Sequence, residues 1–188
     1  MSTTTITRTR RDALATVFAY AVAGLALVAH AVSAVLDGWP SGEVVLEVTS
    51  RPEGLRQSLV LDAGELADGA LVSLRAAAVT EWALTALVLV LLTTCVLRLV
   101  RGEVFTRSTA RWASAAAWAT ASLLIVPSML RLGATNWALQ TVPDPDRWRA
   151  DLVGEQFWYL YVGMMTLSFL ALVLHRGARM HEDQEGLI

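Results

Sequence analysis

The stretch ALTALVLVLLTTCV, Ala83–Val96, decides the fold of this chain. It contains no charged residue, and its leucine and valine side chains lie around the whole circumference of a helix. A helix of a soluble bundle keeps one polar face, whereas a helix that is apolar all round is buried in a core or in a membrane. The stretch therefore predicts a helix that crosses a membrane.

Three further segments have the length and polarity of membrane helices. A spanning helix needs about 20 mostly apolar residues. The chain as a whole is 55% hydrophobic, above the roughly 45–50% of an ordinary soluble domain. We expect an all-α membrane protein, a four-transmembrane-helix bundle that forms one domain over residues 1–188. The predicted helices cover residues 13–36, 76–97, 112–132 and 157–175.

The N-terminal segment has an alternative interpretation as a signal peptide. Arg8, Arg10 and Arg11 precede the first apolar run, and AHAVSA offers small residues at which cleavage could occur. The apolar run is longer than the 7–15 residues usual for a signal peptide. We therefore expect a helix that is retained in the membrane.

The distribution of arginine predicts the orientation. All 15 basic residues are arginine, and segments that face the cytoplasm collect positive charge. With a cytoplasmic N-terminus, the inner segments hold nine arginines and five acidic residues, against six and twelve on the outer side. Both termini are therefore expected in the cytoplasm. The nine inner arginines are Arg8, Arg10, Arg11, Arg98, Arg101, Arg107, Arg111, Arg176 and Arg179.

The first outer segment predicts a small β-hairpin. In EVVLEVTS, Glu43–Ser50, alternation places Val44, Leu46 and Val48 on one side and both glutamates on the other. LRQSLVLD, Leu55–Asp62, follows the turn signal RPEG. We expect an extracytoplasmic hairpin over about residues 43–62. An isolated hairpin is marginally stable, so it must pack on helix ends, on a third strand near Ala70–Leu74, or on another chain.

The second outer loop is expected over residues 133–156. Its stretch NWALQTVPDPDRWRADLVGEQ carries prolines and tryptophans typical of a membrane interface. We predict a short helix near Arg147–Gly154.

Three ionisable residues, His30, Glu81 and Arg131, lie within the predicted helices near their outer ends. Such residues are costly in a membrane and are functional candidates by default. Together they could form an intramembrane polar cluster that senses a proton or a ligand. The alternatives are a structural ion pair or side chains that extend to the nearby headgroups.

The sequence contains no motif of a known catalytic or metal site. Cys95 is the single cysteine, the three histidines are scattered, and no HExxH, GxxxxGK[ST], GxGxxG or GxSxG pattern occurs. We expect a protein that is not an enzyme, has no cofactor or metal, and does not bind nucleic acid directly.

Two inner-face stretches resemble one protein family. In RGEVFTRSTARWAS, Arg101–Ser114, a glycine is followed by Phe105, a threonine and a basic helix start. In HRGARMHEDQEGLI, His175–Ile188, a glycine is followed by a basic-aliphatic pair, an acidic run and a terminal aliphatic residue. With four helices and a long first outer loop, the chain resembles the bacterial membrane family of domain of unknown function 2975. Val104 differs from the proline that this family commonly has there.

The resemblance implies a multi-pass protein of the bacterial plasma membrane without an assigned activity, whose genes often neighbour small helix-turn-helix regulators. We expect sensing, regulation or scaffolding through a cytoplasmic docking surface. The candidate partners are the lipid bilayer, a cytoplasmic regulator and a second copy of the chain. The alternatives are a small transporter, an envelope-stress or immunity protein, or arginines that only enforce topology and bind anionic lipid. The docking surface comprises Arg98, Arg101, Phe105, Arg107, Arg111, Gly177, Arg179, Met180, Glu182, Asp183 and Glu185.

Overall fold

The computed structural model describes residues 3–36, 42–51, 53–151 and 155–185. Most of these residues are helical, and a small three-stranded sheet accompanies the helices. The helices are α1 (Thr3–Leu36), α2 (Asp68–Val100), α3 (Arg107–Leu139) and α4 (Glu155–Glu185). The strands are β1 (Glu43–Ser50), β2 (Arg56–Asp62) and β3 (Trp148–Ala150).

The chain divides into two compact units. The first, here the loop unit, contains the α2–α3 loop, and the second, here the sheet unit, contains all three strands. The loop unit comprises Met1–Ala29, Leu84–Ser122 and Leu160–Ile188, and the sheet unit comprises His30–Ala83 and Leu123–Tyr159.

The four predicted apolar helices are confirmed as helices long and apolar enough to cross a membrane. The qualifying segments have mean hydropathies of 1.9, 2.4, 1.5 and 1.8. They are Ala15–Val35, Asp68–Val100, Arg107–Leu139 and Phe157–Met180.

Large apolar side chains lie on the outside of these helices. Phe18, Trp118 and Phe169 are 70%, 76% and 68% exposed. No residue of Ala15–Val35 is buried in the structure. Such surfaces are unfavourable in water, since burying one large apolar side chain is worth about 1.5–3 kcal/mol.

Helix α3 has the largest buried share of the four apolar segments, and alanines make up much of its packing face. In the loop unit, Ala116 and Ala119 pack against Leu91 of α2. Ala110 and Ala113 pack in the same unit with Ala171 and Leu174 of α4. Small side chains let helix backbones approach closely, which compensates for the absence of a hydrophobic driving force between helices in lipid.

Helices α2 and α3 are longer than the sequence predicted at the ends that carry the sheet. Helix α2 begins at Asp68 rather than at residue 76, and α3 continues to Leu139 rather than ending at residue 132. The predicted outer loops are therefore too long. Both extensions are held by packing within the sheet unit, where Ala70, Ala138 and Leu139 are buried.

The sheet covers these helix extensions with one face of its central strand. Strand order is β2-β1-β3, and both pairings are antiparallel. Val44, Leu46 and Val48 of β1 are buried in the same core as Ala70 and Leu139, whereas the intervening side chains are exposed. The strand alternation thus places one apolar face on the helices.

The third strand is not where the sequence suggested. Residues 70–74 lie in α2, so the candidate strand near Ala70–Leu74 is wrong. The predicted short helix near Arg147–Gly154 is also wrong, because a 3-10 turn at Pro145–Arg147 leads directly into β3. The free edge of β1 explains this outcome. The backbone N–H of Arg51 donates to the carbonyl of Arg147 at 2.8 Å, and Val48 pairs with Ala150.

Seven hydroxyl groups within the helices donate to a carbonyl of their own helix. Thr93 donates to the Leu89 carbonyl at 2.7 Å, Thr120 to that of Ala116 at 2.9 Å, and Ser128 to that of Leu124 at 2.7 Å. The same pattern occurs at Thr94, Ser114, Thr166 and Ser168. These hydroxyls therefore need no partner on a neighbouring helix.

Candidate functional site

The loop between α2 and α3 is a tight turn that is closed by its own charges. Gly102 adopts a φ of 82°, which favours glycine, and the backbone N–H of Glu103 donates to the Arg98 carbonyl at 3.1 Å. The Arg98 guanidinium also donates to the Glu103 carboxylate at 3.1 Å. The charge of Arg98 is therefore paired with a carboxylate of the loop that follows α2.

Two threonines fix the start of α3. The Thr109 backbone N–H donates to the Thr106 hydroxyl at 3.2 Å, as expected for an N-cap. The fully buried Thr109 hydroxyl donates to the Glu103 carbonyl at 2.7 Å. With the helix start fixed, Arg107 and Arg111 lie four residues apart on the same helix face.

Phe105 joins this loop to α4. Its ring lies directly on Gly177, where a Cβ atom would approach Phe105 Cε1 to 2.6 Å. The ring remains 48% exposed, so one side contacts the helix and the other is open. The structure thus brings together two residues that the sequence analysis selected from motifs far apart in the chain.

A basic cleft, here defined by its six lining residues, lies between α3 and α4 within the loop unit. Its volume is about 320 Å³. Two of its lining residues, Ala110 and Ala178, are buried. The lining residues are Arg107, Ala110, Arg111, His175, Ala178 and Arg179.

The histidine of the basic cleft has one ring nitrogen engaged by its own helix. His175 Nδ1 lies 2.9 Å from the Ala171 carbonyl, and a carbonyl can only accept, so Nδ1 is the donor. The other ring nitrogen, Nε2, then accepts when the ring is neutral and donates when it is protonated.

The sequence-predicted docking residues divide into three groups. Arg107, Arg111 and Arg179 meet in the basic cleft, and Phe105 meets Gly177. Arg101, Met180 and Asp183 are exposed, and Arg98 is paired within its own loop. The side chains of Glu182 and Glu185 lie outside the described residues.

Glu103 and His175 are the residues that the sequence analysis missed. Glu103 follows the turn glycine, where a carboxylate can reach back to the last turn of α2. His175 precedes Arg179 by four residues and therefore shares its helix face. Only this spacing could have indicated that His175 belongs with the arginines.

The predicted polar cluster of His30, Glu81 and Arg131 is resolved into a pair and a separate histidine. Arg131 donates to the Glu81 carboxylate, with the two side chains 49% and 30% exposed. The His30 ring instead contacts Trp82 edge-on, with ring centroids 6.2 Å apart. Because α2 begins at Asp68, Glu81 lies about 20 Å along the helix axis rather than near its end.

Within the described part of the chain, no group of three His, Cys, Asp or Glu side chains could hold a metal ion. Comparisons with known protein families, curated proteins and solved structures give no match.

Replacing Gly177 with alanine should displace Phe105 from α4. Overpacking of a close contact costs about 1–3 kcal/mol, so we expect a loss of that size in the free energy of unfolding. The measurement is denaturant unfolding of the purified protein in detergent, followed by circular dichroism. In a Phe105→Ala background the same substitution should cost nothing, because the overlapping ring is gone.

Gly163→Ala is the matched control on the same helix. A Cβ there has no neighbour within 4 Å, so the exchange should be neutral or stabilise by about 0.5–1 kcal/mol. An equal loss from Gly177→Ala with and without Phe105 would contradict the contact.

Glu81 and Arg131 should be energetically coupled. A double-mutant cycle with Glu81→Gln and Arg131→Gln should give a coupling energy of about 0.6 kcal/mol and at most about 1.7 kcal/mol, as polar pairs do in membranes. Arg75→Gln serves as the control, because Arg75 is exposed and makes no ion pair among the described residues. Its combination with Glu81→Gln should be additive. Additivity in both cycles would show that Glu81 and Arg131 act separately.

Proposed function

We propose that this chain is an integral protein of the bacterial plasma membrane that acts in sensing, regulation or scaffolding through its cytoplasmic face. The observation that carries the proposal is the contact of Phe105 with Gly177, which joins the α2–α3 loop and its flanking arginines to the end of α4. We propose no enzymatic activity and no cofactor.

The membrane setting is supported by helix length and surface chemistry. Helices α2 and α3 each have 33 residues and are therefore about 50 Å long. The hydrocarbon layer is about 30 Å thick, so each helix can cross it with turns to spare. Lipid would also solvate the exposed aromatic residues Phe18, Trp118 and Phe169.

The proposed orientation follows from the arginines. Nine of the 15 lie in the α2–α3 loop or at the helix ends on the same side as that loop, so these segments would face the cytoplasm. The three-stranded sheet would then lie outside the cell. The acidic excess of the segments that contain the sheet agrees with this orientation.

The docking surface combines apolar and basic groups. Phe105 and Met180 are 48% and 62% exposed, which gives a partner two apolar contacts. The Arg98–Glu103 pair beside them is partly exposed and is worth about 0–1 kcal/mol. A partner could therefore displace it at little cost, as a regulated contact requires. The family resemblance makes a helix-turn-helix regulator a candidate partner.

Cysteine labelling in whole cells should test the orientation. In a Cys95→Ala background, Ser58→Cys should react with a membrane-impermeant maleimide, whereas Ser108→Cys should react only with a permeant one. Ser58 is on β2 and Ser108 is in the first turn of α3. The reverse pattern would invert the orientation, and labelling of both sites would contradict insertion.

Photo-cross-linking should test the docking surface. A photoreactive residue at Met180 should form an adduct with a cytoplasmic protein in living cells, and the double change Arg107→Glu with Arg111→Glu should abolish it. The same photoreactive residue at Val45, which is exposed on the sheet, should not form this adduct. Persistence of the adduct after charge reversal, in protein shown by labelling to be inserted, would overturn the docking proposal.

A further inference from the structure

We propose that the basic cleft binds a phosphate-bearing anion. The inference deepens the proposed function, on which it rests for its membrane setting, by naming the ligand chemistry of the inner face. Three guanidinium groups and one imidazole line a cavity of about 320 Å³. That volume lies at the lower end of the range of small-ligand sites, about 300–1,000 Å³, and suits a headgroup or a small phosphorylated compound.

Two of the three arginines of the cleft are not paired with a carboxylate among the described residues. Neither Arg111 nor Arg179 makes an ion pair with any described residue. By contrast, Arg98 and Arg131, which lie outside the cleft, each have a carboxylate partner. Like charges gathered on adjacent helix faces repel one another, so an anion between them would be favoured.

The chemistry of the lining points to phosphate rather than to an unspecified anion. Guanidinium presents a planar fork of donors that matches the oxygens of phosphate. When protonated, His175 Nε2 adds another donor, because Nδ1 is already held by the Ala171 carbonyl. The small side chains of Ala110 and Ala178 leave room for the anion between the helices.

The position of the cleft along the helices suits the level of lipid phosphates. Arg107 is the first residue of α3, and Arg179 lies one residue before the end of the apolar segment Phe157–Met180. In the proposed orientation these residues would lie at the inner membrane surface. Basic pockets between helices on the cytoplasmic side are typical sites for anionic lipid headgroups. A soluble phosphorylated compound presents the same chemistry from the cytoplasm.

Native mass spectrometry of the full chain in detergent tests the inference. Delipidated protein is titrated with phosphatidylglycerol, with phosphatidylcholine as the zwitterionic comparison and with inorganic pyrophosphate as the soluble probe. We expect one saturable site for an anionic probe. In Arg111→Gln/Arg179→Gln, affinity should fall by about tenfold or more, since both substitutions remove charge-assisted hydrogen bonds to the phosphate.

Arg101→Gln/Arg176→Gln is the matched control. It removes the same number of charges, one from the α2–α3 loop next to α3 and one from α4, but neither arginine lines the cleft. Its affinity should stay within about twofold of the unaltered protein. Circular dichroism and gel filtration check that both variants remain folded.

Each outcome decides the inference. Saturable phosphatidylglycerol binding that pyrophosphate does not displace assigns the site to lipid, and displacement by pyrophosphate assigns it to a soluble phosphate. Equal weakening in both variants, or no saturable binding of either anionic probe, overturns the inference. If the protein is inserted and cross-links to its partner but the cleft binds neither probe, the inference fails while the proposed function stands.

Discussion

A peptide group that leaves water without a hydrogen-bond partner costs several kcal/mol. This chain has four long apolar segments, in which most side chains cannot accept or donate a hydrogen bond. Helix formation satisfies the backbone inside each segment, and the rest of the structure adapts to that requirement. Turns and strands occur where the chain leaves these helices. In the turn at Gly102, backbone N–H groups donate to carbonyls only a few residues earlier in the chain.

The small sheet and the extra helix turns depend on one another. A two-stranded hairpin is marginal by itself, and β1 gains both a third strand and an apolar floor. The ends of α2 and α3 supply that floor through Ala70, Ala138 and Leu139, and the sheet in turn shields those residues from water. Neither the length of these helices nor the stability of the sheet can therefore be understood alone.

Local sequence patterns predicted the four helices and the first two strands. They could not predict contacts between residues that are far apart in the chain. Uniform hydrophobicity around Ala83–Val96 indicated a helix, and the alternation in Glu43–Ser50 indicated a strand. Strand β3 has only three residues, so its existence depends on the free edge of β1 rather than on its own sequence. The basic cleft likewise requires the register between α3 and α4, which places His175 and Arg111 in the lining of the same cavity. Residue spacing within one helix carries no information about that register.

The hydrogen bonds from serine and threonine hydroxyls to their own helices affect which substitutions the helices can accept. Thr93, Thr120 and Ser128 each donate to the carbonyl four residues earlier in their own helix. Exchange of such a hydroxyl for a methyl group leaves no polar atom stranded on a neighbouring helix. These positions should therefore accept polar or apolar residues of similar size. The alanines of α3 should not accept larger residues, because the neighbouring helices pack closely against them. Sequence change in the spans should accumulate at the hydroxyls first and at the alanines last.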